Sequence, residues 1–266
     1  MGTRAPRISV IIPARNEEPC LGAAIACALS ADPWEVVVAD GGSTDRTREI
    51  AAALGARVVE VQPGRARQMN AGAAAASGDV LLFLHADTLL PNRYDRLLCR
   101  VLSRPGTIAG AFRLGIDSPR PSLRLVEWLA NWRSRALQMP YGDQALFLRR
   151  EAFDAVGGFA DVPAMEDFEC VRRLRRAGRV EISPAAVVTS GRRWLCAGVL
   201  RTTLLNQLCV VACLAGVSLK RIASWRRLRE ASDRPPRIQE SMQSFRTTET
   251  FQSSAARCQR NACASE

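Results

Sequence analysis

Four short apolar runs alternate with helical segments over the first ~90 residues, and this rhythm constrains the fold more than any other feature of the chain. Ile8 to Pro13 is β-branched and ends at a proline, so it reads as a buried strand. Glu35 to Ala39, Arg57 to Val61 and Val80 to Leu84 read as three more. Between them, residues 17–30, a run ending at Leu54 and the Ala-rich stretch Gln68 to Ser77 carry helical spacing. Strand and helix in strict succession predict a mostly parallel central sheet with helices on both faces. In such sheets ligands bind beyond the carboxyl ends of the strands. Three of those ends carry polar clusters: Ala14-Arg15-Asn16-Glu17, Asp40 to Asp45, and His85-Ala86-Asp87.

The remainder is less regular. Ala109 to Ile116 and Ala145 to Leu148 predict short strands, and Leu123 to Leu137 an amphipathic helix. Glu166 to Arg176 opens on acids and closes on arginines, as a helix dipole prefers. Leu204 to Leu219 is apolar apart from Asn206, Gln207 and Ser218, but falls short of the ~20 residues of a spanning helix. It reads either as a buried or surface-docked helix or as an interfacial one, with Lys220, Arg221, Arg226, Arg227 and Arg229 facing anionic headgroups. The division expected is an α/β domain over 1–200, an apolar then basic helical segment over 201–229, and a disordered polar tail over 230–266. No signal-peptide core precedes residue 13, so the expected location is cytoplasmic, at the inner membrane face if the helix is interfacial.

A net charge of +11 suggests nucleic acid at first sight, yet 36 of the 37 basic residues are Arg. That ratio reads as composition bias, and no aromatic-interleaved basic stripe accompanies it, so no nucleic-acid partner is expected. The nine cysteines include no Cys-x-x-Cys pair, and with His85 as the single histidine they make no zinc site. Most read as small buried apolar residues. Neither Gly-x-Gly-x-x-Gly nor a Gly-Lys-Ser/Thr loop follows the first strand, and no Gly-x-Ser-x-Gly is present.

Acidic chemistry is what remains. Asp40 and Asp87 each end an apolar strand, where a carboxylate is costly unless it is hydrogen-bonded, paired or bound to a cation. Oxygen ligands of this kind suit a hard divalent ion, and such an ion suits a diphosphate. Each Asp also fits a plainer role as a turn former or helix cap. Arg65 and Arg67, in the Gly-bounded loop Gly64 to Gly72, fit a phosphate clamp at a helix start. Glu166-Asp167 offers a general base or simple dipole compensation, and Arg192-Arg193-Trp194 a phosphate grip or surface packing.

Four ordered segments carry a resemblance: ISVIIPARNEE (Ile8 to Glu18), VVVADGGSTDRT (Val36 to Thr47), GRARQMNAGAAAASGDVLLFLHADT (Gly64 to Thr88) and VGGF…MEDFE (Val156 to Glu169). Together they resemble family 2 glycosyltransferases of the GT-A fold, the nucleotide-diphospho-sugar transferase fold. The His-Ala-Asp variant is similar to the subgroup named for arsenosugar biosynthesis or diaponeurosporenoate glycosylation. The resemblance implies a nucleotide pocket at Pro13, Ala14, Asn16 and Glu17. It implies base recognition by Asp40 with Gly41, Ser43 and Asp45 nearby, and a donor border at Arg65, Gln68, Asn70 and Ala86. Asp87 would ligate Mg²⁺ or Mn²⁺ on the diphosphate, and His85 stands where the family's first Asp stands. Asp167 is implied as the base, Glu166 as its runner-up, and Arg192, Arg193 and Trp194 as a donor or acceptor grip. The implied reaction is a single inverting displacement from a UDP-sugar to a hydroxyl or carboxyl of a small or lipid-like acceptor. A nucleotidyltransferase would need a Gly-rich loop with Lys after the first strand, which Pro13 to Glu17 is not. A nucleotide-sugar-binding protein without transfer activity is the other rival.

Overall fold

The structure is a computed structural model and describes residues 6–162, 164–192, 194, 198–215, 217–218, 221–222 and 224. Arg193 and the expected tail over 230–266 lie outside the described residues.

Strands β1 (Ile8–Ala14), β2 (Glu35–Asp40), β3 (Arg57–Glu60) and β4 (Val80–Phe83) pair in parallel in the order β3-β2-β1-β4. The register sets Ala14 beside Asp40, so the carboxyl ends of β1 and β2 finish level. Helices α1 (Glu18–Leu29), α2 (Thr47–Ala53) and α3 (Arg65–Ala75) connect them. Val10 and Ile12 pack on one side of the sheet with Leu21 and Ile25 of α1, while Ile11 packs on the other with Met69 and Ala73 of α3. Burial on both faces explains why β1, β2 and β4 are continuous apolar runs, while the edge strand β3 keeps exposed Arg57 and Glu60. Each such side chain contributes about 1.5–3 kcal/mol. A Cβ on Gly72 would lie 2.5 Å from Ile11 Cγ2, so only glycine lets α3 lie this close to β1.

Beyond β4 the sheet changes character. Strand β5 (Thr88–Leu89) forms the far edge, α4 (Tyr94–Leu102) follows, and β6 (Thr107–Asp117), β7 (Phe147–Arg149) and β8 (Arg179–Ser190) complete the order β4-β7-β6-β8-β5. The β4-β7, β7-β6 and β8-β5 pairs are antiparallel, while β6-β8 is parallel. Helices α5 (Pro121–Leu137), α6 (Arg150–Ala155), α7 (Glu166–Ala177) and α8 (Val199–Leu214) surround this half.

The strands and helices read from the sequence are present, with ends moved by a few residues. The strand expected at Ala145 begins at Phe147, because Ala145 sits in the left-handed region at φ 49°. Strand β8 was not anticipated. It contains Pro184, which removes a ladder donor, and its register against β6 shifts there: Ala111 opposes Ile182 but Arg113 opposes Ala186. Cys20, Cys27, Cys170 and Cys209 are buried, as expected of small apolar side chains. Of the apolar segment expected at Leu204 to Leu219, Leu204 to Leu214 lies on α8, while Gly216 and Leu219 lie outside the described residues; among the described residues no helix is long and apolar enough to cross a membrane.

Candidate active site

A cleft of about 200 Å³ opens at the carboxyl ends of β1 and β4. Pro13 and Glu17 line it from β1, and His85, Ala86 and Asp87 from β4. Arg65 enters at the start of α3, and Met165, Glu166 and Asp167 at the start of α7. Tyr141, Asp143, Thr189, Ser190, Trp194 and Asn206 close the opposite wall.

Asp167 is fixed from two directions. Its Oδ2 accepts the Gly142 N–H at 2.7 Å and its Oδ1 accepts the Phe168 N–H at 2.8 Å. The carboxylate stands in the first turn of α7, at the positive end of the helix dipole. Met165, just before the helix, is held at φ 65°, a left-handed conformation costly for a non-glycine residue and so backbone strain at the cleft. Glu166 is buried, and its Oε1 lies 3.6 Å from Arg65 Nε. Gly142 separates His85 from Asp167: a Cβ there would lie 3.0 Å from His85 Nε2 and 3.1 Å from Asp167 Oδ2.

Arg192 Nη2 sits 3.3 Å from Glu17 Oε2 and 3.6 Å from Asp87 Oδ2. Burial and then the neighbouring Asp87 push the Glu17 carboxyl upward, with Arg192 opposing them. Two carboxylates therefore share one cationic partner. Their oxygens are hard donors of the kind Mg²⁺ and Mn²⁺ take. Among the described residues no group of three His, Cys, Asp or Glu side chains is placed to hold a metal alone. Asp87 and Glu17 thus offer carboxylate oxygens on one side of the cleft, with His85 beside Asp87.

Several expected donor contacts turn away from this cleft. Asp40 is fully buried, and its carboxylate accepts from Gly42 N–H (3.1 Å), Ser43 N–H (3.0 Å) and the Ser43 hydroxyl. These bonds shape the turn, the plainer of the two roles the sequence offered it. Gln68 Nε2 donates to the carbonyls of Ala14 (2.7 Å) and Ala39 (2.9 Å), clamping β1 to β2. Gly41 has no room for a Cβ, which would meet that same side chain at 2.9 Å. Asn70 exchanges hydrogen bonds with Phe159, donating to its carbonyl and accepting its N–H. These three side chains serve backbone, because buried carbonyl and amide groups need partners more than a cleft edge does.

Asn16, Ser43 and Asp45 knit the two loops together instead. The Asn16 N–H donates to Ser43 Oγ and its Oδ1 accepts the Thr44 N–H, while Asp45 accepts the Glu18 and Thr47 amides. Asp45 thereby serves both helix starts that lack a cap of their own. Trp194 is buried against Leu114, Ile116 and Leu123 and borders the cleft.

Sequence reasoning missed Tyr141, Asp143, Ser190 and Asn206. The turn-rich Pro140-Tyr141-Gly142-Asp143 stretch was a usable signal for the first two. Arg133 stacks 3.4 Å over the Tyr141 ring, and its Nε and Nη2 are buried without hydrogen-bond partners. Burial pulls this guanidinium below its ordinary range. Burial also pushes the Tyr141 hydroxyl up to about 12.

Comparison with known proteins bears on the family and the fold. Glucosyl-3-phosphoglycerate synthase of Mycobacterium tuberculosis is 37% identical over 100 residues, which is 32% of this chain and 30% of that protein. The 4,4'-diaponeurosporenoate glycosyltransferase of Staphylococcus haemolyticus is 38% identical over 103 residues, 35% of this chain and 27% of that protein. The match thus spans less than a third of the length of either relative. The solved M. tuberculosis synthase with Mg²⁺ and uridine diphosphate superposes with a TM-score of 0.57 at 22% identity, covering 80% of each chain. S. aureus TarS with UDP superposes at 0.58 and 17% identity, covering 69% of this chain and 60% of that one. Likenesses at this identity carry the fold, and the chain has the expected α/β GT-A fold. The family model described as Glycosyl transferase family 2 matches residues 9–160, more than half the chain, so this protein belongs to glycosyl transferase family 2.

Proposed function

We propose that the chain transfers a sugar, with inversion, from a nucleoside-diphosphate sugar to an acceptor hydroxyl or carboxyl oxygen. The supporting observation is the convergence of Asp167, Asp87 and His85 on one cleft at the strand ends, with Asp167 anchored by the Gly142 amide at 2.7 Å. The UDP bound in the two solved relatives supports a uridine donor.

Asp167 takes the acceptor proton as the acceptor oxygen bonds the anomeric carbon. The bond from that carbon to the diphosphate oxygen breaks, and its electron pair leaves with the diphosphate. Attack opposite the leaving group inverts the anomeric centre. Glu166 holds Arg65 at the cleft edge, and Arg192 lies between Glu17 and Asp87, so both guanidinium groups face the side where negative charge develops. Asp87 and His85 would hold Mg²⁺ or Mn²⁺ with the diphosphate, and the ion when bound supplies Lewis-acid stabilisation of the leaving group.

The test is UDP release from a panel of UDP-sugars, with and without Mn²⁺, in the parent and in Asp87→Ala and Asp167→Asn. Loss of release in both variants supports the assignment. An Asp167→Asn protein that transfers sugar at the parental rate removes Asp167 as base. Tight UDP-sugar binding with no release under any condition indicates a binding protein.

A further inference from the structure

Two neighbouring helices carry an apolar face that the sheet does not cover. On α5, Leu125, Trp128, Leu129 and Trp132 follow the i, i+3, i+4, i+7 spacing of one stripe, and on α8 so do Leu204, Leu208 and Val211 at i, i+4, i+7. All seven are between 40% and 63% exposed. Leu129 and Gln207 line the same cleft between the helices, so the two stripes adjoin. Arg113 and Arg135 border a groove with Trp128 and Trp132, and Arg124 and Arg201 are exposed at the helix starts.

The charge on this face says what covers it. Glu127 is the only carboxylate on either helix, and it is half-buried and engaged with the Ile116 N–H and Arg124. A second copy of the same face would set arginines against arginines. The chain beyond residue 219 holds ten basic and five acidic residues, so it too brings net positive charge. An anionic bilayer surface matches these features: tryptophans at headgroup depth, leucines below them, arginines on phosphates, and the one carboxylate of the two helices already paired with Arg124.

We propose that α5 and α8 together form the surface by which this protein docks on the anionic face of a lipid bilayer, lying in the interface. Asn206 of α8 lines the catalytic cleft as well, so the docked helix borders the site of reaction. On the sugar-transfer reading, and resting on it, an acceptor carried in that bilayer reaches Asp167 from the α5–α8 side. The docking itself stands independently of that reading.

The experiment is co-sedimentation of the full chain with phosphatidylcholine vesicles, with and without phosphatidylglycerol, at low and high salt, alongside tryptophan emission. The parent is expected to pellet with phosphatidylglycerol vesicles, less so at high salt, with a blue-shifted emission. Trp128→Ser with Leu204→Ser lowers the partition by about tenfold or more. Thermal unfolding and UDP-sugar binding in the absence of lipid check that the variant folds. A parent that ignores phosphatidylglycerol vesicles, or a folded variant that partitions like the parent, overturns the proposal. So does a parental dimer that the double variant converts to monomer without any vesicle binding, since a second copy then covers the face. Failure of sugar transfer with vesicle binding intact removes only the lipid-borne acceptor.

Discussion

The loops after β1 and β2, which with the end of β1 reach the cleft only at Pro13 and Glu17, and the wall formed by Tyr141, Trp194 and α8 treat their polar groups in opposite ways. In the first, Asn16, Asp40, Ser43, Asp45 and Thr47 satisfy one another and the adjoining backbone at 2.5–3.1 Å. In the second, Arg133 Nε and Nη2, Tyr141 Oη, Trp194 Nε1 and the Thr202 and Thr203 hydroxyls are buried without hydrogen-bond partners. Among the described residues no buried side-chain atom before Thr107 is left in that state. A satisfied network fixes one geometry, whereas unmatched polar atoms leave a wall free to meet different ligands. On the proposed reading, the first side would hold the nucleotide-sugar donor and the second the acceptor.

The largest effect tests where the two sides meet. Asp167→Asn should lower sugar transfer by about 10²–10⁴-fold, the range of a lost general base, with thermal stability little changed. Rate measurement at saturating donor decides it. Asp40→Ala should destabilise the fold by about 2–3 kcal/mol, because two amides and a hydroxyl lose their acceptor in a buried loop. A denaturant midpoint unchanged from the parent would mean that the donor-side network is not the rigid part.

Gly142→Ala should cost about tenfold or more in kcat by pushing His85 and Asp167 apart, with a smaller effect on donor KM. Glu17→Gln probes the carboxylate pair. Folding raises the Glu17 pKa, chiefly through burial and next through Asp87. Its contribution therefore favours the fold below the ordinary carboxylate pKa and is lost as pH rises through the folded value. The variant should melt slightly higher than the parent at neutral pH, and the gain should vanish on acidification. The smallest effect is expected at Arg133→Met. Replacing a buried guanidinium that lacks hydrogen-bond partners should be neutral or mildly stabilising in thermal unfolding. A large loss there would show both sides to be equally tied down.

Much of the fold was legible because β1, β2 and β4 are buried on both faces, and burial leaves an unbroken apolar run in the sequence. Pro184 hid β8, since the bulge that tolerates it depends on the β6 partner 70 residues away. Two-residue β5 carries no periodicity to read. His85, Asp87, Glu166 and Asp167, which line the cleft, were candidates from position at a strand end and a helix start, with plainer roles left open until the resemblance. Asp40, Gln68 and Asn70 were placed near the donor on resemblance, but their side chains answer to carbonyls and amides that only the folded sheet brings within reach.

The sequence by itself determined the alternation of strand and helix, the strand ends where polar residues gather, and the residue types that sugar transfer would use. These are local properties, set by hydrophobic period and turn chemistry along a few consecutive residues. Tertiary structure alone decided which way each polar side chain turned, that Gly142 lies between His85 and Asp167, and that the stripes of α5 and α8 adjoin. Those depend on groups far apart in the chain competing for the same hydrogen bonds and the same buried space.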